Sequence, residues 1–266
     1  MLLPEDPLAL FHQPAFAPAA RREMTLFGAP AELVYLPERQ ARWGVPQAGR
    51  PAFPAQFVDR ILEQEAAWEG GGMVLTPNRY PFGRRQAVLW AKTPVREPDA
   101  SMLELLLRLE EKVSGAVLLN CIGAAASIPR CHMHLIGEQL PFLGLLDTVP
   151  AAITAVELPA GVTCLSLAPP FPGVAVGVRG PTRERAVVLH RLLEARSSPA
   201  FNLVSQDATT WVFPRSTTET PTPHFPYALG AAELWGRWCF GDEEPFRTAT
   251  AGDLEAALRL CCYPLP

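Results

Sequence analysis

Residues 127–138 read S-I-P-R-C-H-M-H-L-I-G-E, and the alternation within this run limits the chain's folding options. A β-strand sends successive side chains to opposite faces. Extended, the segment puts Arg130, His132 and His134 on one face and Cys131, Met133 and Leu135 on the other. The second set is apolar and suits a core. The first is a row of nitrogen groups, and an unpartnered buried polar group costs about 1–3 kcal/mol. A strand that accepts such a row carries chemistry on its polar face.

The chain has 266 residues, 48% hydrophobic and 19% charged, enough apolar material for a sizeable core. A net charge of -4 argues against broad electrostatic capture of nucleic acid or of an anionic membrane. Lys92 and Lys112 are the only lysines, which together with 29 prolines reads as a GC-rich coding bias. The six cysteines form no C-x-x-C pair, and most lie in apolar runs as small buried hydrophobes do. The start M-L-L-P-E-D-P has no basic n-region, and no apolar span reaches 18 residues. The expectation is a cytoplasmic protein with reduced thiols.

Residues 1–25 are rich in Pro and Ala and read as an irregular lead. Strands are expected over 31–36, 73–76, 87–92 and 116–121, and on the H-x-H segment. A helix carrying Phe57, Ile61 and Leu62 precedes Gly70-Gly71-Gly72, and Ser101 with Glu104 forms a capping box for a helix over 102–113. This helix–strand–turn–strand order places the histidines on a hairpin of an antiparallel sheet. A proline-punctuated stretch over 150–172 marks the boundary between an N-terminal half, 1–155, and a C-terminal half, 156–266. The second half offers strands near 162–167, 174–178, 202–206, 210–213 and 234–240, a helix over 183–195 capped by Thr182, and a last helix over 253–262. Elements recur in similar order in both halves. The predicted class is α+β.

The residues leave several chemistries open. H132-x-H134-x-x-x-E138 has the spacing of a cupin metal motif, in which His132, His134 and Glu138 would hold Fe, Mn or Zn. Both histidines could instead be structural, each satisfied by a backbone carbonyl. In a third reading one imidazole is a nucleophile toward phosphorus, with Asn120, Ser127 and the backbone amides around Gly123 as donors to phosphate oxygens. His134 would then share the phosphate's charge or manage a proton.

The line Ser127-x-x-Arg130-x-His132-x-His134 resembles the histidine-triad superfamily, whose small members carry S-x-x-H-x-H-x-H and whose transferases carry S-x-x-H-x-H-x-Q. The similarity points to the branch of GDP-hexose phosphorylases, diadenosine tetraphosphate phosphorylases and galactose-1-phosphate uridylyltransferases. Asn120-Cys121-Ile122-Gly123-Ala124-Ala125-Ala126-Ser127-Ile128 is similar to the N-S-L-G-A-x-A-T-I stretch of the GDP-hexose enzymes. Leu36-Pro37-Glu38-Arg39 and Asn78-Arg79-Tyr80-Pro81-Phe82 look like their nucleotide-side segments. Asn202-Leu203-Val204-Ser205-Gln206-Asp207 and Ala232-Glu233-Leu234-Trp235-Gly236 look like later ones, so the likeness runs from about residue 31 to the end.

The resemblance implies two histidine-triad-like halves, each an antiparallel sheet with flanking helices, forming one unit. It implies His132 as nucleophile and His134 beside it, with Asn78, Asn120, Gly123, Ser127 and Arg130 at the substrate. The substrate would be a nucleotide sugar or a dinucleotide and the acceptor inorganic phosphate, with no cofactor and no metal. Two positions depart from the pattern. Arg130 replaces the first histidine, exchanging a proton shuttle for a permanent cation able to clamp phosphate. His134 replaces the transferase glutamine, as in the hydrolases, so hydrolysis is an alternative, as is a degenerate nucleotide binder.

Overall fold

Glycines and short apolar runs set the first turns of the chain. Phe27 and Gly28 both take positive φ, 51° and 85°, the pattern of a two-residue turn whose twist matches its strands. They close a hairpin of β1 (Ala20–Leu26) and β2 (Ala29–Tyr35). Gly71 and Gly72, at φ 56° and 75°, do the same between β3 (Trp68–Gly70) and β4 (Met73–Pro77). The computed structural model describes residues 3–12, 15–39, 55–154, 156–216 and 224–263.

The N-terminal half continues with α1 (Ala55–Glu65), which precedes β3, then β5 (Gln86–Ala91), α2 (Ala100–Val113), β6 (Ala116–Asn120) and β7 (His132–Ile136). After α3 (Phe142–Leu145) comes β8 (Thr148–Pro150), followed by β9 (Thr163–Leu167), β10 (Val176–Arg179), α4 (Thr182–Ala195), β11 (Ala200–Gln206) and β12 (Thr209–Arg215). The end of the chain supplies α5 (Ala231–Trp235), β13 (Arg237–Phe240), α6 (Glu243–Thr248) and α7 (Ala251–Cys261).

The two halves share one topology. Strand order is β3-β4-β5-β7-β6 in the first and β8-β9-β10-β12-β11 in the second, with α2 and α4 each inserted after the third strand. β8, at 148–150, pairs with the second set although it precedes the boundary expected after residue 155. They do not form two separate sheets. β6 pairs antiparallel with β11, with Asn120 opposite Asn202, and all ten strands become one continuous sheet. Joining the halves at these strands removes two exposed edges.

One face of the sheet is covered by α2 and α4. There Leu103, Leu106 and Leu107 meet Val188, Leu189 and the buried Cys131, Met133 and Leu135. The other face packs against a three-stranded sheet, β1-β2-β13, in which β13 runs parallel to β2. Trp235 and Trp238 are fully buried in that layer, as core residues. α1 covers the β5 side of the same face, where Val58, Val88, Trp90 and Ile128 cluster.

Several expectations need correction. The lead over 1–25 holds strand β1, whose alternating half-exposed side chains conceal it in an Ala/Arg-rich sequence. The cap of α2 is Asp99, not Ser101. Its carboxylate accepts from the Met102 amide at 2.9 Å, and Ser101 donates to that carboxylate, since an acid at a helix N-terminus also meets the helix dipole. Thr182 does not cap α4 but is its first residue, after Pro181, and its hydroxyl donates to Glu111. The strand expected over 234–240 begins at Arg237, because 231–235 is helical and Gly236 turns the chain at φ 104°. Among the described residues no helix is long and apolar enough to cross a membrane.

Candidate functional site

Register builds the site. Trp90 of β5 lies opposite His132 of β7, and Val88 lies opposite His134. On the other side of β7, Leu118 of β6 is opposite His134 and Leu119 is opposite Met133, which brings Asn120 level with His132. One row of the sheet therefore reads Asn202, Asn120, His132, Trp90. The next reads Val204, Leu118, His134, Val88, Thr76. Both rows face α1 and the small sheet, away from α2 and α4.

β7 starts at His132, so Arg130 stands just outside the strand, but its backbone carries a key contact. His132 Nδ1 lies 2.8 Å from the Arg130 carbonyl oxygen. A carbonyl only accepts, so Nδ1 carries the hydrogen and the neutral ring keeps its lone pair on Nε2. His134 is held in the opposite sense. Gln86 Oε1 accepts from the Phe82 and Gly83 amides at 2.8 and 3.2 Å, which orients the amide and turns Gln86 Nε2 toward His134 Nδ1, 3.1 Å away. His134 thus accepts at Nδ1 and offers Nε2–H. The two rings stand 5.7 Å apart at 85°. One ring thus holds its lone pair on Nε2, the other a hydrogen.

The remaining expected residues divide. The Asn120 side-chain oxygen accepts from the Ala231 amide and from Asn202 Nδ2, both at 2.7 Å, so Asn120 can face a ligand only through its own Nδ2. Gly123 takes φ 91° in the loop between β6 and β7, which also holds Ser127. The loop springs from the strand ends that carry Asn120 and His132, which keeps both residues at this end of the sheet. Arg130 is 6% exposed, and its Nη2 donates to Asp59 of α1 at 2.7 Å. Its buried Nη1 has no hydrogen-bond partner among the described residues, an open donor on a permanent cation.

Asn78 is not brought to this end. It bonds to the Gln86 carbonyl through its amide, two rows from His132, roughly 13 Å along the strands. Its side chain turns back to accept from the Tyr80 amide at 3.0 Å. Glu138 does not complete a metal site with the histidines. Its carboxylate accepts from Arg237 Nη1 at 2.5 Å and from the Arg84 amide at 2.6 Å. Burial opposes ionisation there, but the Arg237 hydrogen bond and charge hold Glu138 below the usual carboxylate range. Among the described residues no three His, Cys, Asp or Glu side chains form a metal-holding group, and the fold is an open sheet, not the barrel that the cupin reading requires.

Other candidates are structural. Arg215 is fully buried, donating to Cys261 O, Leu229 O and Asn202 Oδ1, and so ties the C-terminal helix to the sheet. His224 faces Asp253, and His190 faces Glu194 on its own helix. Burial pushes the Cys121 and Cys131 thiols up to about 11 and 12, so both stay protonated near neutral pH. The sequence reading missed Gln86, Trp90, Thr76 and Asp59. A strand reading could have found Gln86, a polar residue two positions before Val88 on the histidine-facing side. Asp59 lies on a different element, and only packing pairs it with Arg130.

No protein-family profile matches the sequence, and no curated protein is significantly similar to it. Solved structures do share its architecture. The yeast Ap4A phosphorylase Apa2 in complex with Ap4A superposes with a TM-score of 0.70 at 14% identity, covering 95% of this chain and 92% of that chain. The same enzyme in complex with AMP gives 0.65 at 14% identity, covering 92% and 88%. A third Apa2 structure gives 0.63 at 14% identity, covering 92% and 87%. The chain therefore folds as that phosphorylase does, which is the architecture implied by the resemblance of its R-x-H-x-H strand.

Proposed function

We propose that this protein transfers a nucleotidyl group through His132. Nε2 attacks the α-phosphorus of a nucleotide sugar or dinucleoside polyphosphate. The Nε2–P bond forms as the bond to the departing phosphate oxygen breaks. Inorganic phosphate then attacks the same phosphorus, Nε2 leaves, and a nucleoside diphosphate is released. The observation that carries this reading is the hydrogen bond from His132 Nδ1 to the Arg130 carbonyl, which leaves the lone pair on Nε2. That the fold is shared with a phosphorylase crystallised with Ap4A supports a nucleotide substrate.

In this scheme Nε2–H of His134 donates to a phosphate oxygen or to the leaving group. Asn120 Nδ2, the Gly123 loop amides and Ser127 hold the remaining oxygens. Arg130 Nη1 clamps a further phosphate. Hydrolysis is the second reading, favoured by the histidine at 134, with water replacing phosphate in the second step.

One experiment separates them. The protein is incubated with nucleotide sugars and dinucleoside polyphosphates, with and without phosphate. One nucleotidyl group should appear on His132 by intact mass, and turnover should fall at least about 10³-fold in His132→Gly. A nucleoside diphosphate product identifies phosphorolysis, and a monophosphate identifies hydrolysis. If no donor yields an adduct or turnover, the proposal fails.

A further inference from the structure

Trp90 is stacked on His132. The ring centroids are 4.9 Å apart and the planes meet at 27°. The indole is 5% exposed, and its Nε1–H donates to Thr76 Oγ1 at 2.9 Å. Val58 of α1, Val88 and Ile128 pack around it. With the polar tip anchored and the body wedged, the ring cannot leave the imidazole face.

That contact matters when charge appears. Attack through Nε2, with Nδ1–H retained on the Arg130 carbonyl, converts a neutral imidazole into an N-phosphoryl imidazolium. His132 is 6% exposed, so water screens the new charge little. The charged and titratable groups around it give mixed help. His134 stands edge-on at 5.7 Å on the same strand. The Arg130 guanidinium on the adjoining loop opposes a second cation, and its partner Asp59 on α1 offsets that charge. The indole face is the contacting surface whose quadrupole is negative toward the imidazolium.

We propose that Trp90 is a positioning residue for the nucleophile, holding the His132 ring and stabilising the cation that forms on it. This rests on His132 being the nucleophile, and it adds a group that acts on the charge of the intermediate and not on substrate binding. The effect belongs to the covalent step, so it appears in the rate of Nε2–P bond formation and leaves KM for a nucleotide donor nearly unchanged.

Phosphoramidate tests this without a nucleotide. Its PO₃ group passes to Nε2 as its P–N bond breaks and ammonia leaves, and mass spectrometry follows the label at residue 132. Trp90→Phe keeps a π face and should react within about threefold of wild type, whereas Trp90→Leu should be about tenfold slower. Thr76→Val, which removes the anchor but preserves volume, should fall between them. Thermal unfolding identifies the folded variants, and if Trp90→Leu does not fold, Thr76→Val against wild type decides. Equal rates in the folded variants overturn the proposal, as does a wild-type protein that takes no label at His132. If the labelling order holds but no nucleotide donor reacts, nucleotidyl transfer fails and the Trp90 role stands. If a nucleotidyl adduct forms equally fast in Trp90→Leu, the Trp90 role fails and nucleotidyl transfer stands.

Discussion

At the scale of single residues, the site depends on which ring nitrogen carries hydrogen. The Arg130 carbonyl and the Gln86 amide set opposite tautomers on two histidines of one strand. Gln86→Glu tests the second setting. A glutamate keeps an acceptor for the Phe82 and Gly83 amides but presents an acceptor to His134 Nδ1, which reverses that tautomer. We expect the single-turnover rate to fall at least about tenfold, with the buried carboxylate lowering stability by about 1–3 kcal/mol. Nitrogen-15 shifts of the His134 ring and stopped-flow rates check both. The H-x-H spacing made the polar face of this strand legible. The tautomers were not legible, because one depends on an amide 48 positions earlier in the chain.

At the scale of elements, the ladder between β6 and β7 holds the histidine row in place. Gly115 precedes β6, and a Cβ there would lie 1.8 Å from the Ile136 carbonyl oxygen and 2.9 Å from its carbon. Backbone cannot yield cheaply at such a distance. Gly115→Ala should push the two strands apart, cost about 3 kcal/mol in urea denaturation, and lower activity with stability as His134 moves. Most strands of the large sheet could be read from apolar runs of four to six residues between turn signals. The missed elements were β1, β3, β8, α3, α5 and α6. They are short, or carry their apolar residues at wide spacing, and gain their shape from neighbours and not from local propensity.

At the scale of the whole molecule, α2 and α4 join the halves across a buried polar contact. Glu110 lies 3.6 Å from Arg185 and accepts from Ser205 at 2.7 Å. Burial raises the Glu110 carboxyl to about 7, despite Ser205 and Arg185, and burial also depresses Arg185. Between the ordinary value of 4.5 and about 7, the folded form holds a proton that the unfolded form has lost. Stability therefore falls as pH rises through that window, by an amount of about 3 kcal/mol. Glu110→Gln keeps the Ser205 contact, and it should flatten the slope of urea stability between pH 5 and pH 7.5 and leave the protein more stable at the upper end.

The sequence by itself determined the α+β class, the recurrence of elements in two halves, and a strand with histidines on one side and core on the other. Those properties follow from residue periodicity and turn chemistry, which act within a few positions. Only the tertiary structure decided that the halves share one ten-stranded sheet through β6 and β11. It alone placed Asp59 against Arg130, Gln86 against His134 and Trp90 over His132. Each of these joins residues far apart in the chain, and strand register with helix packing, not local sequence, sets such distances.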